Sequence, residues 1–185
     1  PFYHFVAENN KYYNPEYTTP FKYNPEQAKQ LLAEIGLKDT NNDSFLEDAD
    51  GNTIEFNIMV YGNDSTILDM LNIIISDMNA VGLKASLEII DNNVWAQRLQ
   101  YTFDWHCTPL GYNTPTFPMQ WSNVWPSEGD RHTWNPNQEE PSTEWESKID
   151  DLFDKIEYTY DEAKTRELYN EFQKTMHPRF YNRMD

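Results

Sequence analysis

Side chains that carry oxygen recur between Asp39 and Gly51 at the spacing of a calcium-binding loop. In such a loop the first, third, fifth, ninth and twelfth positions supply ligands to the ion. The residues at those positions here are Asp39, Asn41, Asp43, Glu47 and Asp50. Ser44 replaces the glycine of the turn, and Asp50 replaces the bidentate glutamate. The segment therefore predicts a calcium site, and the alternative is a turn whose side chains bond to their own backbone.

A second group of residues suited to binding lies between Phe103 and Glu146, a segment that holds five of the six tryptophans. More than thirty of its residues show neither helical nor strand periodicity. A loop of that length is usually functional or disordered, and disordered segments lack aromatic residues. We therefore predict an ordered loop that presents large, rigid rings to a ligand. The candidate rings are Trp121, Trp125 and Trp134, and for each of them burial in the core is the alternative.

No set of residues in the sequence has the spacing of a catalytic centre. The histidines are scattered, without zinc-ligand spacing, at His4, His106, His132 and His177. Cys107 is the only thiol, and its strand-like flanks predict a buried, unreactive side chain. A carboxylate pair such as Glu139 and Glu144 would suit a glycosidase, but in so acidic a chain this signal carries little information. We therefore predict a protein that is not an enzyme.

The charge of the chain excludes two classes of partner. Fourteen Lys and Arg residues against 31 Asp and Glu residues give a formal net charge of −17. Nucleic acid and anionic membranes need cationic patches, so neither is an expected partner. No apolar run approaches the length of a membrane span. Both ends of the sequence read as boundaries within a longer polypeptide, so we draw no conclusion from the lack of a signal peptide.

The first half of the chain predicts a helix followed by a strand–helix–strand unit. Asn24, Pro25 and Gln27 form the start of the first helix, and Gly36 ends it. Apolar residues alternate with polar ones over 53–61 and again over 83–90, which is typical of strands. A helix capped by Asn63 or Asp64 lies between them, so the unit is predicted to be a right-handed βαβ crossover.

The second half predicts a short helix capped by Asp91, a strand over 103–108, the long loop and two further helices. Thr143 and Glu146 form a capping box for the first of these helices. The second starts at Asp161 and is predicted to end at Pro178. The order of elements is that of an α/β or α+β domain. We expect residues 1–22 to be an irregular segment that packs on this domain, which spans residues 23–185.

Five segments, in the right order, resemble the C-terminal part of the solute-binding proteins of peptide-type ABC transporters, the oligopeptide- and dipeptide-binding family 5. The matching segments are YNPEQAKQLLAEIG (23–36), the Asp-rich stretch 39–51, the helix–strand junction ending in VGLK (71–84), Phe103-Asp104, and ELYNEFQ (167–173).

The resemblance implies an α/β fold, the C-terminal lobe of a class II, cluster C periplasmic-binding protein with a mixed sheet flanked by helices. It implies an extracytoplasmic component of an ABC importer that binds oligopeptides and delivers them to the permease subunits, in a periplasm or as a lipoprotein at the cell surface. Oligosaccharide binding is the alternative within the family. The N-terminal lobe would be missing, so we expect residues 1–185 alone to bind ligand weakly or not at all.

The resemblance also indicates ligand-facing residues next to the predicted strand at Phe103. These are Trp105, Tyr112 and Asn113, in addition to the three loop tryptophans. In typical peptide binders of the family, an aspartate shortly after this strand pairs with the α-amino group of the ligand. Gly111 stands in that place here. The usual recognition of a zwitterionic peptide is therefore in question, because a charge-assisted bond to the amino group is missing.

Overall fold

A computed structural model describes residues 6, 8–17, 22–111, 116–133, 135–136 and 138–181, with side chains up to residue 177. The chain divides into two compact units, Lys22–Gly111 and Pro1–Phe21 together with Tyr112–Asp185. The boundary between Gly111 and Tyr112 has no counterpart in the predicted division into 1–22 and 23–185. That division stays a prediction.

The first helix begins and ends where the sequence predicts. Helix α1 spans Pro25–Glu34, and the Oδ1 atom of Asn24 accepts a 3.0 Å hydrogen bond from the backbone NH of Gln27. Gly36 ends the helix with a φ of 91°, in the left-handed region that favours glycine. None of the ten residues of α1 is buried.

A parallel βαβ unit forms the centre of the unit Lys22–Gly111. Strands β1 (Glu55–Tyr61) and β2 (Lys84–Ile90) pair in parallel, with Ile58 opposite Leu87, and helix α2 (Ser65–Ala80) connects them. The side chain of Asp64 caps α2 by accepting from two backbone NH groups. Alternate residues of β1 point to one face of the sheet, where Ile58 and Val60 pack with Leu71 of α2. The predicted βαβ order is confirmed.

The predicted strand at 103–108 is wrong except at one residue. Helix α3 (Asn92–Gln97), capped by Asp91 as predicted, continues into a π-helical turn at Arg98–Thr102. Phe103 then leaves this turn in a left-handed conformation, with a φ of 53°, which is not the conformation of a strand. Of residues 103–108, only Cys107 pairs with β1. It lies parallel to β1 opposite Ile58, and its carbonyl accepts from the NH of Met59 at 2.8 Å.

Cys107 is exposed, so the prediction of a buried thiol is wrong. Its single bridge lies at the edge of the sheet, where no further strand covers the side chain among the described residues. Partial desolvation still raises the pKa of the Cys107 thiol above its ordinary value. Because the thiolate is the reactive form, the thiol is expected to be unreactive at neutral pH.

The second unit is built on helices α4 (Glu144–Glu157) and α5 (Glu162–Tyr181). Thr143 caps α4 as predicted, because its hydroxyl oxygen accepts from the NH of Glu146. The reciprocal bond of a capping box is replaced, since Glu146 accepts from the NH of Ser142 and the hydroxyl of Thr143. The predicted end of α5 at Pro178 is wrong, because the helix continues to Tyr181. A proline this near the end of a helix removes only one backbone hydrogen bond.

Aromatic rings dominate the core of this second unit. Phe172 is fully buried, with its ring centroid 5.3 Å from that of Phe153 and 5.2 Å from that of Tyr169. The segment 8–17 belongs to the same core, because Tyr12 is buried and its carbonyl accepts from Nε2 of Gln173 at 2.9 Å. In the described part of the chain, no helix has the length and apolar character needed to cross a membrane.

Candidate functional site

The structure places Trp121 and Trp125 in the hydrophobic core of their unit. They are 7% and 8% exposed, and their ring centroids lie 5.8 Å apart. The ring of Trp125 also lies 5.5 Å from that of Phe172 on α5. The sequence left open whether these rings face a ligand or lie in the core, and the structure places both in the core. Their burial argues against direct contact with a ligand, and their role in ligand binding stays a prediction.

The loop around these tryptophans is compact between residues 116 and 133. It starts with a 3₁₀ turn at Pro118–Trp121, and His132 is buried with its Nδ1 atom 3.1 Å from the carbonyl of Val124. The backbone NH of Ser127 donates to Oδ1 of Asp150 on α4 at 2.8 Å. An ordered loop was predicted, and buried side chains and hydrogen bonds on the side that faces the core hold it in place. Tyr112, Asn113 and Trp134 lie outside the described residues.

Trp105 is half-buried and belongs to a corner that four charged or polar side chains stabilise. We call the set of Asn57, Glu88, Arg98 and Asp104 the Arg98 corner. Arg98 donates to Oε1 of Glu88 at 2.5 Å and to the carbonyl of Asp104 at 2.5 Å, and Asn57 donates to the other oxygen of Glu88. The corner thus joins both strands and the end of α3 to the residue that precedes Trp105.

Sequence reasoning missed the Arg98 corner because its members come from three separate elements and no motif joins them. Asn57 and Glu88 are half-buried, and the strand alternation assigns them only to the face of the sheet opposite Ile58 and Leu87. Among the described residues, Nε1 of Trp105 and Oδ1 of Asn57 are both buried and have no hydrogen-bond partner. A polar atom in that state favours a partner from a ligand, a water molecule or another part of the protein.

Gly111 lies at the end of the described segment that follows this corner. It is exposed, its φ is outside the left-handed region, and no described atom lies within 4 Å of the place where a Cβ would stand. The backbone therefore does not require glycine here. An aspartate would fit at this position without a steric penalty from the described residues.

The structure brings three of the five predicted calcium ligands together. One carboxylate oxygen from each of Asp39, Asp43 and Glu47 lies within 4.8 Å of the others. Asn41 adjoins them, because its side-chain NH2 donates to Asp43 at 3.1 Å and to Glu47 at 3.2 Å. Asp50 is not part of this group in the described chain; its backbone NH donates to Asp48 in the next turn.

The same loop also satisfies its own backbone, as the alternative interpretation requires. Asp39 accepts from the NH groups of Asn42 at 2.7 Å and Ser44 at 3.0 Å. Glu47, which is 2% exposed, accepts from both the NH and the hydroxyl of Thr40 at 2.7 Å. Ser44 has a φ of 78°, so it adopts the backbone conformation of the glycine it replaces. The calcium site stays a prediction.

Calcium addition distinguishes the two interpretations of this loop. For a dissociation constant near 1 mM, as in weak extracellular sites, 10 mM calcium should stabilise the protein by about 1.4 kcal/mol. The Asp43→Asn change should remove this gain, and Asp50→Asn should leave it intact because Asp50 lies outside the carboxylate group. The measurement is chemical unfolding with calcium or with sodium chloride of equal ionic strength. Equal stability in both salts would establish the self-bonded turn.

Comparison with known proteins assigns the chain to a family. Bacterial extracellular solute-binding proteins, family 5 (middle region), match residues 1–132. The oligopeptide-binding protein AppA of Bacillus subtilis strain 168 is 28% identical over 123 residues, which is 64% of this chain and 22% of AppA. The matched residues make up less than a quarter of the length of this relative.

Solved structures show the same fold. AppA from B. subtilis in complex with a nonapeptide superposes with a TM-score of 0.74 at 22% identity, over 94% of this chain and 34% of that one. MelB from Agrobacterium fabrum C58, in complex with stachyose, superposes with a TM-score of 0.78 at 24% identity, over 95% of this chain and 28% of MelB. NikA from Brucella suis, in complex with Fe(III)-EDTA, superposes with a TM-score of 0.74 at 20% identity, over 95% of this chain and 34% of NikA. The chain is an α/β part of this fold and belongs to the bacterial extracellular solute-binding proteins of family 5.

Proposed function

We propose that this chain is part of the solute-binding component of an ABC importer, which binds oligopeptides outside the cytoplasm and delivers them to the permease subunits. The observation that carries the proposal is the family match over residues 1–132, together with the name of the curated relative, an oligopeptide-binding protein. The match includes the Arg98 corner, Trp105 and Gly111. The whole protein would act in a periplasm or attached to the outer surface of the cell membrane.

The chemistry of the described residues fits a binding role better than a catalytic one. The charged side chains of the Arg98 corner pair with one another, because Arg98 forms ion pairs with both Glu88 and Asp104. Such a network fixes the backbone at Asp104, which precedes Trp105, and preorganised groups lower the entropic cost of binding. Family relatives are solute-binding proteins, which agrees with the prediction that the chain is not an enzyme.

Oligosaccharide binding is the second candidate, and one comparison favours it. MelB, which superposes well on this chain, was solved with stachyose. Sugar faces stack on exposed aromatic rings, yet Trp121 and Trp125 are buried in the core. Of the described loop and corner tryptophans, Trp105 is the half-buried one that remains available for stacking. The loss of two candidate rings therefore favours peptides over sugars.

A thermal-shift panel on the full-length protein tests the proposal. A peptide at a hundredfold excess over its dissociation constant should add about 2.7 kcal/mol of stability, and oligosaccharides of similar size should add none. Stabilisation by oligosaccharides alone would establish the second candidate. Residues 1–185 by themselves should give little or no heat with the same peptide in calorimetry.

Gly111→Asp in the full-length protein tests how the ligand is recognised. The new carboxylate should strengthen binding of a peptide with a free amino terminus about tenfold relative to its N-acetylated form, since a charge-assisted bond contributes roughly 1.5–3 kcal/mol. Gly111→Asn is the matched control, because it adds nearly the same shape without the charge. If both peptides respond equally to the aspartate, Gly111 does not face the ligand terminus.

A further inference from the structure

Helix α2 exposes a second apolar stripe that the described residues of this chain leave uncovered. The residues that α2 turns toward the sheet already pack against it, among them Leu68, Leu71 and Ile75. Further aliphatic residues on the same helix are exposed, and Ile73 is 64% exposed. We call the exposed set the outer α2 flank; its members are Tyr23, Ile67, Met70, Ile73 and Ile74. Exposed apolar residues that lie side by side on a surface are a candidate interaction site.

The members of the outer α2 flank lie along one side of the helix. Ile67, Met70 and Ile74 follow one another at spacings of three and four residues, which places them on adjacent turns. The hydroxyl of Tyr23 donates to Oδ1 of Asp77 at 3.0 Å, one turn beyond Ile73 and Ile74. This bond, which raises the pKa of Tyr23, holds a largely exposed aromatic ring at the end of the aliphatic row.

The charges around the outer α2 flank select among its possible occupants. Helix α2 carries Asp69 and Asp77 and has no Lys or Arg from Ser65 to Ala80, and Asp64 lies at its start. Lys22 adjoins Tyr23 in sequence. Lys84 follows the end of α2 and is already paired with Glu55 at 2.8 Å. Two copies of the chain would bring these carboxylates face to face, and an anionic membrane would repel the same charges. An occupant with basic residues around an apolar stripe complements them.

We propose that the outer α2 flank docks a basic amphipathic helix of a partner protein. An apolar row at helical spacing, with a ring fixed at one end, matches the anchors of helix-in-groove recognition. The carboxylates of Asp69 and Asp77 then meet Lys or Arg side chains at the rim, where charge sets the association rate and the choice of partner. The Arg98 corner lies on the other face of the sheet, since Glu88 points away from α2.

The test uses the full-length protein and two fluorescently labelled helical peptides with the same leucine stripe. One peptide carries Lys beside the stripe, and the other carries Glu at the same positions. Fluorescence anisotropy should show binding of the Lys peptide that is at least about tenfold tighter than that of the Glu peptide. Equal binding of the two peptides, or binding of neither, would overturn the proposal.

Variants locate the binding on the outer α2 flank. The double change Met70→Gln and Ile73→Gln should weaken binding of the Lys peptide at least about tenfold, because it removes two exposed anchors. Val94→Gln, an equivalent change at an exposed apolar residue on α3, should leave binding unchanged. Asp69→Lys should weaken binding of the Lys peptide and strengthen binding of the Glu peptide. Unchanged binding in the double variant, or a dimer in sedimentation that this variant dissociates, would contradict the proposed occupant.

Discussion

Replacing Trp125 by alanine should lower the free energy of unfolding by about 3–5 kcal/mol, the usual cost of removing a large aromatic side chain from a core. The ring is 8% exposed and lies between those of Trp121 and Phe172. Its removal leaves a cavity that neighbouring rings on α5 cannot fill without shifting. Urea unfolding followed by far-ultraviolet circular dichroism measures the change, with the denaturant slope compared between variants.

Tyr160→Ala is the matched control for the Trp125 variant. Tyr160 belongs to the same unit and is fully exposed, so the same kind of truncation should change stability by less than about 0.5 kcal/mol. A Trp125→Ala protein that keeps its stability but loses ligand affinity would contradict the assignment of this ring to the core. That outcome would restore Trp125 as a ligand contact.

Gly82→Ala should be the most damaging small substitution in the unit Lys22–Gly111, with a cost of roughly 2–5 kcal/mol. Gly82 has a φ of 94°, which costs a residue with a Cβ about 1–2 kcal/mol. A Cβ at this position would also stand 2.7 Å from Cγ of Leu46, and overpacking of this kind costs about 1–3 kcal/mol. Chemical unfolding of the purified variant measures the sum.

Gly36→Ala separates the two contributions. Gly36 ends α1 with a φ of 91°, and no described atom lies within 4 Å of the position that a Cβ would take, so only the backbone cost applies. The difference between the two variants therefore reports the contact with Leu46. If both variants cost the same, the side chain of Leu46 moves aside freely, and only the 2.8 Å bond from the NH of Leu46 to the carbonyl of Gly82 holds the acidic loop 39–51 against the end of α2.

Local signals in the sequence determined the helices and the residues at which they begin. The caps at Asn24, Asp64, Asp91 and Thr143 lie where they were predicted, because a cap is a contact between residues two or three positions apart. The strand alternation of β1 and β2 was equally readable, since it follows from the pleat alone. The segments that carry the family resemblance are of the same local kind.

The remaining features depend on contacts between residues distant in the chain. A strand over 103–108 matched the local pattern, but the left-handed turn at Phe103 and the pairing of Arg98 with Glu88 leave only Cys107 in the sheet. The acidic loop 39–51 is a second example. The spacing of its side chains predicted Asp50 as a ligand, but Asp50 lies in the next turn, where its NH donates to Asp48.

The sequence by itself determined the family, the helix caps and the βαβ order, because these rest on periodicity, capping and short motifs. Only the tertiary structure decided what the aromatic loop does with its rings. Aromatic composition alone fits a ligand surface and a core equally well, since Tyr, Phe and Trp serve both. The packing of α5 against the loop buries Trp121 and Trp125, and Trp105, next to the Arg98 corner, is half-buried. Contact of Trp105 with a ligand stays a prediction.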